Sequence, residues 1–313
     1  MSRSIEQVGL IGFGEAGGIL GAALARAGYA VAMYDILLEQ PARREGLLQK
    51  AQQARVRPCD SAGAVAQCSV LVISAVTASS SLEAAAAVAP ALRPGQLFLD
   101  INSVSPDRKR ASARLIEPSG ADFVEAAVMA PVPPQGLGVP MLLGGARAAA
   151  WAEALRALGL NVSVIASDVG VASAVKMCRS ILIKGLEALT IESLFAARRF
   201  GAEEQVLASL RQSFPHMGWE TGLPDYLVSR VAEHGVRRAA EMGEVASTLE
   251  TAGFEPVMAR AAARRQTLLV EAMAARALAY RAQGFSWREL ADALEGGARS
   301  PDAGRRPLPA VEA

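Results

Sequence analysis

Val8-Gly9-Leu10-Ile11-Gly12-Phe13-Gly14-Glu15-Ala16-Gly17-Gly18 decides how this chain folds. It opens as a short apolar strand and passes at once into G-x-G-x-x-G. An alanine-rich helix follows from Gly18 to Ala27, ended by Gly28. In this setting the first glycine permits a tight turn, the second lets the backbone approach a pyrophosphate, and the third lets helix and strand pack closely. The helix start adds amide donors and the positive end of a dipole. Gly12, Phe13, Gly14, Glu15, Ala16 and Gly17 are therefore expected to bind a dinucleotide. A second strand, Ala30 to Tyr34, closes on Asp35. Asp35 lies about twenty residues beyond the glycines, where a carboxylate accepts from the adenosine ribose hydroxyls. It would repel a 2′-phosphate, which favours NAD, while Arg43 and Arg44 just downstream leave NADP open.

The same alternation continues outward. Val70–Ser74, Leu97–Asp100, Asp122–Glu125, Pro140–Leu143 and Val162–Ile165 read as strands, with helices over Leu82–Leu92 and Ala149–Ala157. Strands alternating with crossover helices imply a doubly wound parallel sheet of the Rossmann type. After Gly170 strand-like runs vanish, and alanine-, leucine- and arginine-rich helices run to about Glu295, with breaks near Gly201, Pro215–Pro224, Gly253–Pro256 and Gly284. The predicted architecture is α/β followed by an all-α domain. A dinucleotide-binding domain occupies residues 1–167 and a helical substrate and dimerisation domain residues 168–296, with a long linking helix over about 170–199. A Gly-, Pro- and Arg-rich tail, 297–313, is expected to be disordered.

Composition narrows the function. Half the residues are apolar and a fifth charged, as in a globular protein, and the net charge of +1 removes the electrostatic argument for nucleic acid. The basic clusters Arg108-Lys109-Arg110, Arg237-Arg238 and Arg264-Arg265 sit among acids and read as solvated helix faces. Three scattered cysteines and two histidines offer no metal spacing, and Cys178 reads as a small packed residue. No run is long and apolar enough for a membrane span, and the N-terminus leads almost directly into a strand, so a cytoplasmic protein is expected.

The linking helix holds Lys176-Met177-Cys178-Arg179-Ser180-Ile181-Leu182-Ile183-Lys184. A lysine on the helix leaving a nucleotide domain is either a proton-transfer group or a snorkelling surface residue. Lys176, Ser180, Lys184 and Glu187 recur at helical spacing and share one face. Lys184 either anchors a carboxylate or phosphate or pairs with Glu187. His234, Arg237, Arg238 and Glu241 read as an intrahelical ion-pair ladder, with an arginine anion fork as the alternative. His216 reads as a turn residue.

These residues resemble a family, the β-hydroxyacid dehydrogenases, which include 6-phosphogluconate and 3-hydroxyisobutyrate dehydrogenases. Gly12–Gly17 is similar to the family's cofactor loop, Asp100-Ile101-Asn102-Ser103-Val104-Ser105-Pro106 to its D-x-S-T-x-x-P segment, and Gly170 with Lys176 to its glycine-led loop and catalytic lysine. The resemblance implies Lys176 as general acid and base, cofactor contacts at Val76, Thr77 and Asn102 as well, and substrate contacts at Ser103, Met129, Ser180 and Lys184. Where the family has D-A-P-V-S-G-G, this chain reads Glu125-Ala126-Ala127-Val128-Met129-Ala130-Pro131, and Ser180 replaces an asparagine. Both departures point to altered substrate recognition. The C-terminal helices resemble an outlying branch with a distinct second domain. The implied activity is hydride transfer between NAD(P) and a small β-hydroxy acid or its semialdehyde or keto partner. Imine reduction on the same scaffold and a non-catalytic nucleotide-binding regulator are the alternatives. Long apolar helix faces point to a homodimer.

Overall fold

Short apolar runs buried on both sides build the sheet. The computed structural model of the protein describes residues 5–296, and the tail 297–313 lies outside the described residues. The first part comprises β1 (Gln7–Ile11), α1 (Glu15–Arg26), β2 (Ala30–Tyr34), α2 (Pro41–Ala54), β3 (Arg57–Pro58), α3 (Ala62–Gln67), β4 (Leu71–Ser74) and α4 (Ser81–Val88). It continues with β5 (Leu97–Asp100), α5 (Pro106–Ile116), β6 (Asp122–Val128), α6 (Val132–Gln135), β7 (Met141–Gly144), α7 (Ala148–Ala157) and β8 (Val162–Ala166). One sheet results, in the order β3-β2-β1-β4-β5-β6-β7-β8.

Side-chain alternation explains why helices cover both faces. Val8, Leu10, Leu71, Ile73, Leu97, Leu99, Val124 and Ala126 join one core with Leu20 and Leu24 of α1, Leu47 of α2 and Trp151 of α7. Their neighbours Ile11, Val72, Phe98 and Phe123 join a second core with Val65 of α3, Val88 of α4 and Ile116 of α5. Buried apolar surface contributes about 25 cal/mol per Å², so a strand apolar on both sides is satisfied only between two helix layers. The indole of fully buried Trp151 donates to Asp122 Oδ2 at 2.7 Å, which satisfies its one polar atom.

One pairing departs from the parallel expectation. β6 runs antiparallel to β7, with Glu125 opposite Gly144 and Val128 opposite Met141. The connection holds only the four-residue α6 and the turn Gly136–Gly138, interrupted by Pro131, Pro133 and Pro134. A parallel return needs a crossover of a dozen or more residues, usually helical, and prolines deny it one. The helices α2, α3 and α5, which the strand pattern alone does not show, lie between the strands. α2 and α5 each begin with proline at the first turn, the position where its missing N–H costs nothing.

The helical part comprises α8 (Val171–Arg199), α9 (Glu203–Ser213), α10 (Leu223–Thr251), α11 (Val257–Ala275) and α12 (Trp287–Glu295). The chain divides into two compact units, and the division falls inside α8. One unit runs through Arg179 and includes Ser247–Gly253, and the other holds Ser180–Ala246 and continues from Phe254. The second unit has its own core of Ile191, Leu194, Leu207, Trp219, Val228, Val231, Leu269 and Trp287. α10 departs from helical geometry at His234 (φ −126°), beside Gly235, where a Cβ would overlap Val270 of α11. The missing side chain at Gly235 lets α11 approach closely at this point.

Candidate functional site

The order β2-β1-β4 reverses direction at β1, and the crevice at the carboxyl ends of β1 and β4 is where open α/β sheets bind ligands. The glycine loop stands there. Gly12 takes φ +91° and donates its N–H to Tyr34 O at 2.9 Å, so the turn is locked to β2. A Cβ at Gly17 would overlap the Gly12 carbonyl, and one at Gly21 would stand 2.5 Å from Leu10 Cδ1, so α1 lies close on β1. At Gly14 a Cβ meets nothing within 4 Å, so the backbone there faces open space. Glu15 is exposed and Ala16 half-buried at the helix start, while the Phe13 ring is buried. This is a backbone cradle with room for a pyrophosphate at a helix N-terminus, and it fits a dinucleotide.

Asp35 is half-buried, and its carboxylate is already engaged by backbone. Oδ2 accepts from Phe13 N at 2.7 Å, and Oδ1 from Leu37 N at 3.0 Å. Each oxygen keeps a further lone pair for a ribose hydroxyl. Lys50, from the polar helix α2, donates to Phe13 O at 2.7 Å and Gly14 O at 2.6 Å. Burial pushes the Lys50 ammonium below its ordinary pKa, against the pull of Asp35 and Glu15. Arg44 is occupied as well, donating to Leu38 O at 2.8 Å.

The rim on the β4 side is built around Asn102. Its Oδ1 accepts from Val76 N at 2.7 Å, its Nδ2 donates to Ser74 Oγ at 2.9 Å, and its own N–H donates to Asp100 Oδ1 at 2.9 Å. Thr77 is exposed and bonds Ser79 and Ser80 through Oγ1, each at 3.1 Å. Beneath lies an ion pair sealed from solvent, Lys109 Nζ to Asp100 Oδ1 at 2.9 Å, with both side chains 1% exposed. This corrects the solvated reading of Arg108-Lys109-Arg110: the α5 face carrying Lys109 points at the sheet. The buried Ser103 Oγ has no hydrogen-bond partner among the described residues.

Lys176 is half-buried, on the sixth residue of α8. That helix begins against the sheet. The buried Glu125 of β6 accepts from Gly170 N at 2.6 Å and Ala172 N at 3.0 Å through Oε1, and from Ser173 N at 3.3 Å through Oε2. Met129, half-buried beyond β6, donates its N–H to Pro140 O at 2.9 Å. Cys178 is exposed, not packed as expected, because it lies on the outward side of α8.

In the helical unit Ser180 and Lys184 are both buried. Lys184 Nζ meets Glu241 Oε2 at 2.7 Å and Ser180 Oγ at 3.3 Å. Glu187 instead takes the Arg238 fork, with Nε–Oε2 at 2.6 Å and Nη2 on Oε1. The Lys184–Glu187 pair, one of the two readings of Lys184, is therefore replaced by two pairs between α8 and α10. The ladder within α10 is correspondingly thin, Arg237–Glu241 at 3.8 Å and His234–Glu233 at 3.2 Å. Burial pushes the Lys184 pKa down despite Glu241, and the Glu187 pKa up despite Arg238.

Comparison with known proteins agrees with this geometry. Residues 7–166 match the NAD binding domain of 6-phosphogluconate dehydrogenase. The chain belongs to that NAD-binding family. Residues 197–269 match a domain of unknown function, DUF1932. A conserved hypothetical protein from Sinorhizobium meliloti is 38% identical, with 94% of this chain and 97% of that one covered and a TM-score of 0.72. A second conserved protein of unknown function, described as structurally similar to 3-hydroxyacid dehydrogenases, is 34% identical over 85% of this chain and 97% of its own, at a TM-score of 0.68. The mitochondrial 3-hydroxyisobutyrate dehydrogenase of Bos taurus is 26% identical over 215 residues, which is 67% of this chain and 63% of that protein. This chain thus spans less than two thirds of that curated relative's length. The family is one of NAD-binding, 3-hydroxyacid dehydrogenase-like proteins.

Sequence alone assigns no partner to three of the charged groups that organise these sites. Lys50 sits in a polar helix with no mark to distinguish it. Lys109 was hidden between two arginines. Glu125 did carry a signal, an acid within the buried strand Phe123-Val124-Glu125-Ala126-Ala127, where a charge needs a partner. Among the described residues no helix is long and apolar enough to cross a membrane, and no group of three or more His, Cys, Asp or Glu could hold a metal ion.

Proposed function

We propose that the protein is an NAD-dependent dehydrogenase or reductase of small β-hydroxy acids, with Lys176 as general acid and base. What carries this reading is the open glycine cradle at the β1/β4 switch point, in the same compact unit as the start of the lysine-bearing helix. Gly12–Gly17, Asp35, Val76, Thr77 and Asn102 would hold the dinucleotide, whose nicotinamide supplies the hydride chemistry. Lys176 takes the proton of the substrate hydroxyl during oxidation and returns one to the oxygen during reduction. Ser103 and Met129, with Ser180 and Lys184, are the proposed substrate contacts. Since Ser180 and Lys184 are buried and bonded internally, Ser103 is the stronger of these assignments. Residues 1–167 are assigned to the cofactor and 168–296 to substrate and assembly.

The testing experiment follows nicotinamide absorbance with a panel of small hydroxy acids and sugar acids, in wild type and Lys176→Ala. Lysine-dependent turnover supports the reading, and equal turnover in both proteins removes the role given to Lys176. NAD is the proposed cofactor, because Asp35 places a carboxylate at the end of β2 and Arg44 is already bonded to Leu38 O. We expect NAD to bind at least about tenfold more tightly than NADP, a difference of about 1.4 kcal/mol. Calorimetric titration of both checks this, and equal affinities would refute it.

A homodimer is proposed on the strength of Leu182 and Leu189, 77% and 55% exposed on α8, and Val236, 72% exposed on α10. Exposed leucines on consecutive heptads of one helix suit a helix partner. Sedimentation at micromolar concentration should return twice the 32.6 kDa chain mass, and a chain-sized particle would exclude the dimer.

A further inference from the structure

We propose that Glu125 is the positioning residue for Lys176, holding the first turn of α8 on the sheet so that the lysine is presented in one geometry. The inference rests on Lys176 being the proton carrier, but its geometry is independent of any substrate. The register pairs Ser74 with Asp100 and Asp100 with Glu125, and β7 places Gly144 opposite Glu125. Ser74, Asp100 and Glu125 thus form a polar row at the carboxyl ends of β4 and β5 and the middle of β6, on the face covered by α5. Two carboxylates lie side by side in that row, and each is compensated differently. Asp100 takes the Lys109 ammonium. Glu125, 0% exposed, has no cation partner among the described residues and takes three backbone amides, from Gly170, Ala172 and Ser173.

Those amides are among the orphan donors that every helix start leaves open. A buried carboxylate meeting three of them, at the positive end of a 29-residue helix, holds the first turn of that helix in place. The surroundings are shaped for this contact. A Cβ at Gly144 would stand 2.5 Å from Glu125 Oε1, so the facing strand is hollowed to admit the carboxylate. Gly170 takes φ +108°, and a Cβ there would stand 2.8 Å from Arg110 Nη2, so the entry to α8 is tight on its other side. Ser173 and Lys176 are three residues apart and stack on one helix face, so a shift of the amide at 173 is carried to the lysine. In this chain Glu125 opens the segment that replaces the family's substrate loop, and its work is directed at the helix.

The test uses the full chain in four forms: wild type, Lys176→Ala, Glu125→Gln and Gly144→Ala. Glu125→Gln keeps the shape and removes the charge, and it sets an amide donor against one of the N–H groups. Gly144→Ala displaces the carboxylate from a strand that carries no proposed catalytic group. Both are expected to lower kcat by about a hundredfold, the cost of an ångström's misplacement, with KM and NAD affinity unchanged. The chain has only four lysines, so acylation of Lys176 can be read by peptide mass spectrometry with Lys50 as internal reference. The Lys176-to-Lys50 labelling ratio should change severalfold in both variants, whether or not a substrate has been found. If Lys176→Ala abolishes turnover while Glu125→Gln and Gly144→Ala retain wild-type kcat, the positioning role is overturned. If Lys176→Ala turns over normally, the functional reading fails instead, and an unchanged labelling ratio would then overturn the inference about Glu125 separately.

Discussion

Lys176→Ala is expected to lower turnover by about 10²–10⁴-fold, the range for removing a positioned acid–base group, with NAD affinity unchanged. Lys176 lies on α8, whereas the cofactor cradle is built from β1, α1 and the ends of β4 and β5. The hydrogen bonds that shape the cradle run from Gly12 to Tyr34, from Phe13 and Leu37 to Asp35, and from Val76 to Asn102. Truncation at 176 is expected to remove an ammonium and leave those bonds in place. Equilibrium binding of NAD and single-turnover hydride transfer separate the two effects. A variant that loses affinity and turnover together would mean that Lys176 holds the dinucleotide.

Arg238→Met is expected to destabilise the helical unit by about 3–5 kcal/mol, as when one partner of a buried ion pair is removed. The Arg238 side chain is 10% exposed and that of Glu187 1%, and burial already pushes the glutamate pKa upward with its partner in place. Methionine keeps much of the volume of the arginine stem but leaves Glu187 with no fork. The double variant Glu187→Leu with Arg238→Met should recover most of the loss, since apolar replacement of a whole buried pair is often neutral or stabilising. Denaturant unfolding of the two variants decides it. A small loss in the single variant, or a double no better than the single, would mean that Lys184 and solvent already compensate Glu187.

The two replaced readings share a cause. Lys184 with Glu187, and Arg238 with its neighbours in α10, look paired in sequence because three or four residues separate them. In the structure each takes a stronger partner from the other helix, Glu241 for Lys184 and Glu187 for Arg238. Local spacing states which groups can meet within one helix. It holds no information on what the facing helix brings, and in a buried interface the facing helix wins because both charges must be compensated at once. Lys109 follows the same rule: solvated by its sequence neighbours, it is sealed against Asp100 once α5 packs on the sheet.

By itself the sequence determined the nucleotide-binding architecture, the helical second part and the place of the glycine cradle. Each of these depends on local properties: positive φ at Gly12, apolar strands buried on both sides, and proline and glycine at helix ends. Only the tertiary structure decided the antiparallel β6–β7 pairing and the partners of the buried charges. Lys50 reaches back 36 and 37 residues to the glycine loop, and Glu125 reaches forward 45 to 48 residues to α8. A buried charge is matched to whatever donor or acceptor packing brings within about 3 Å, and that choice is made in space, after the chain has folded.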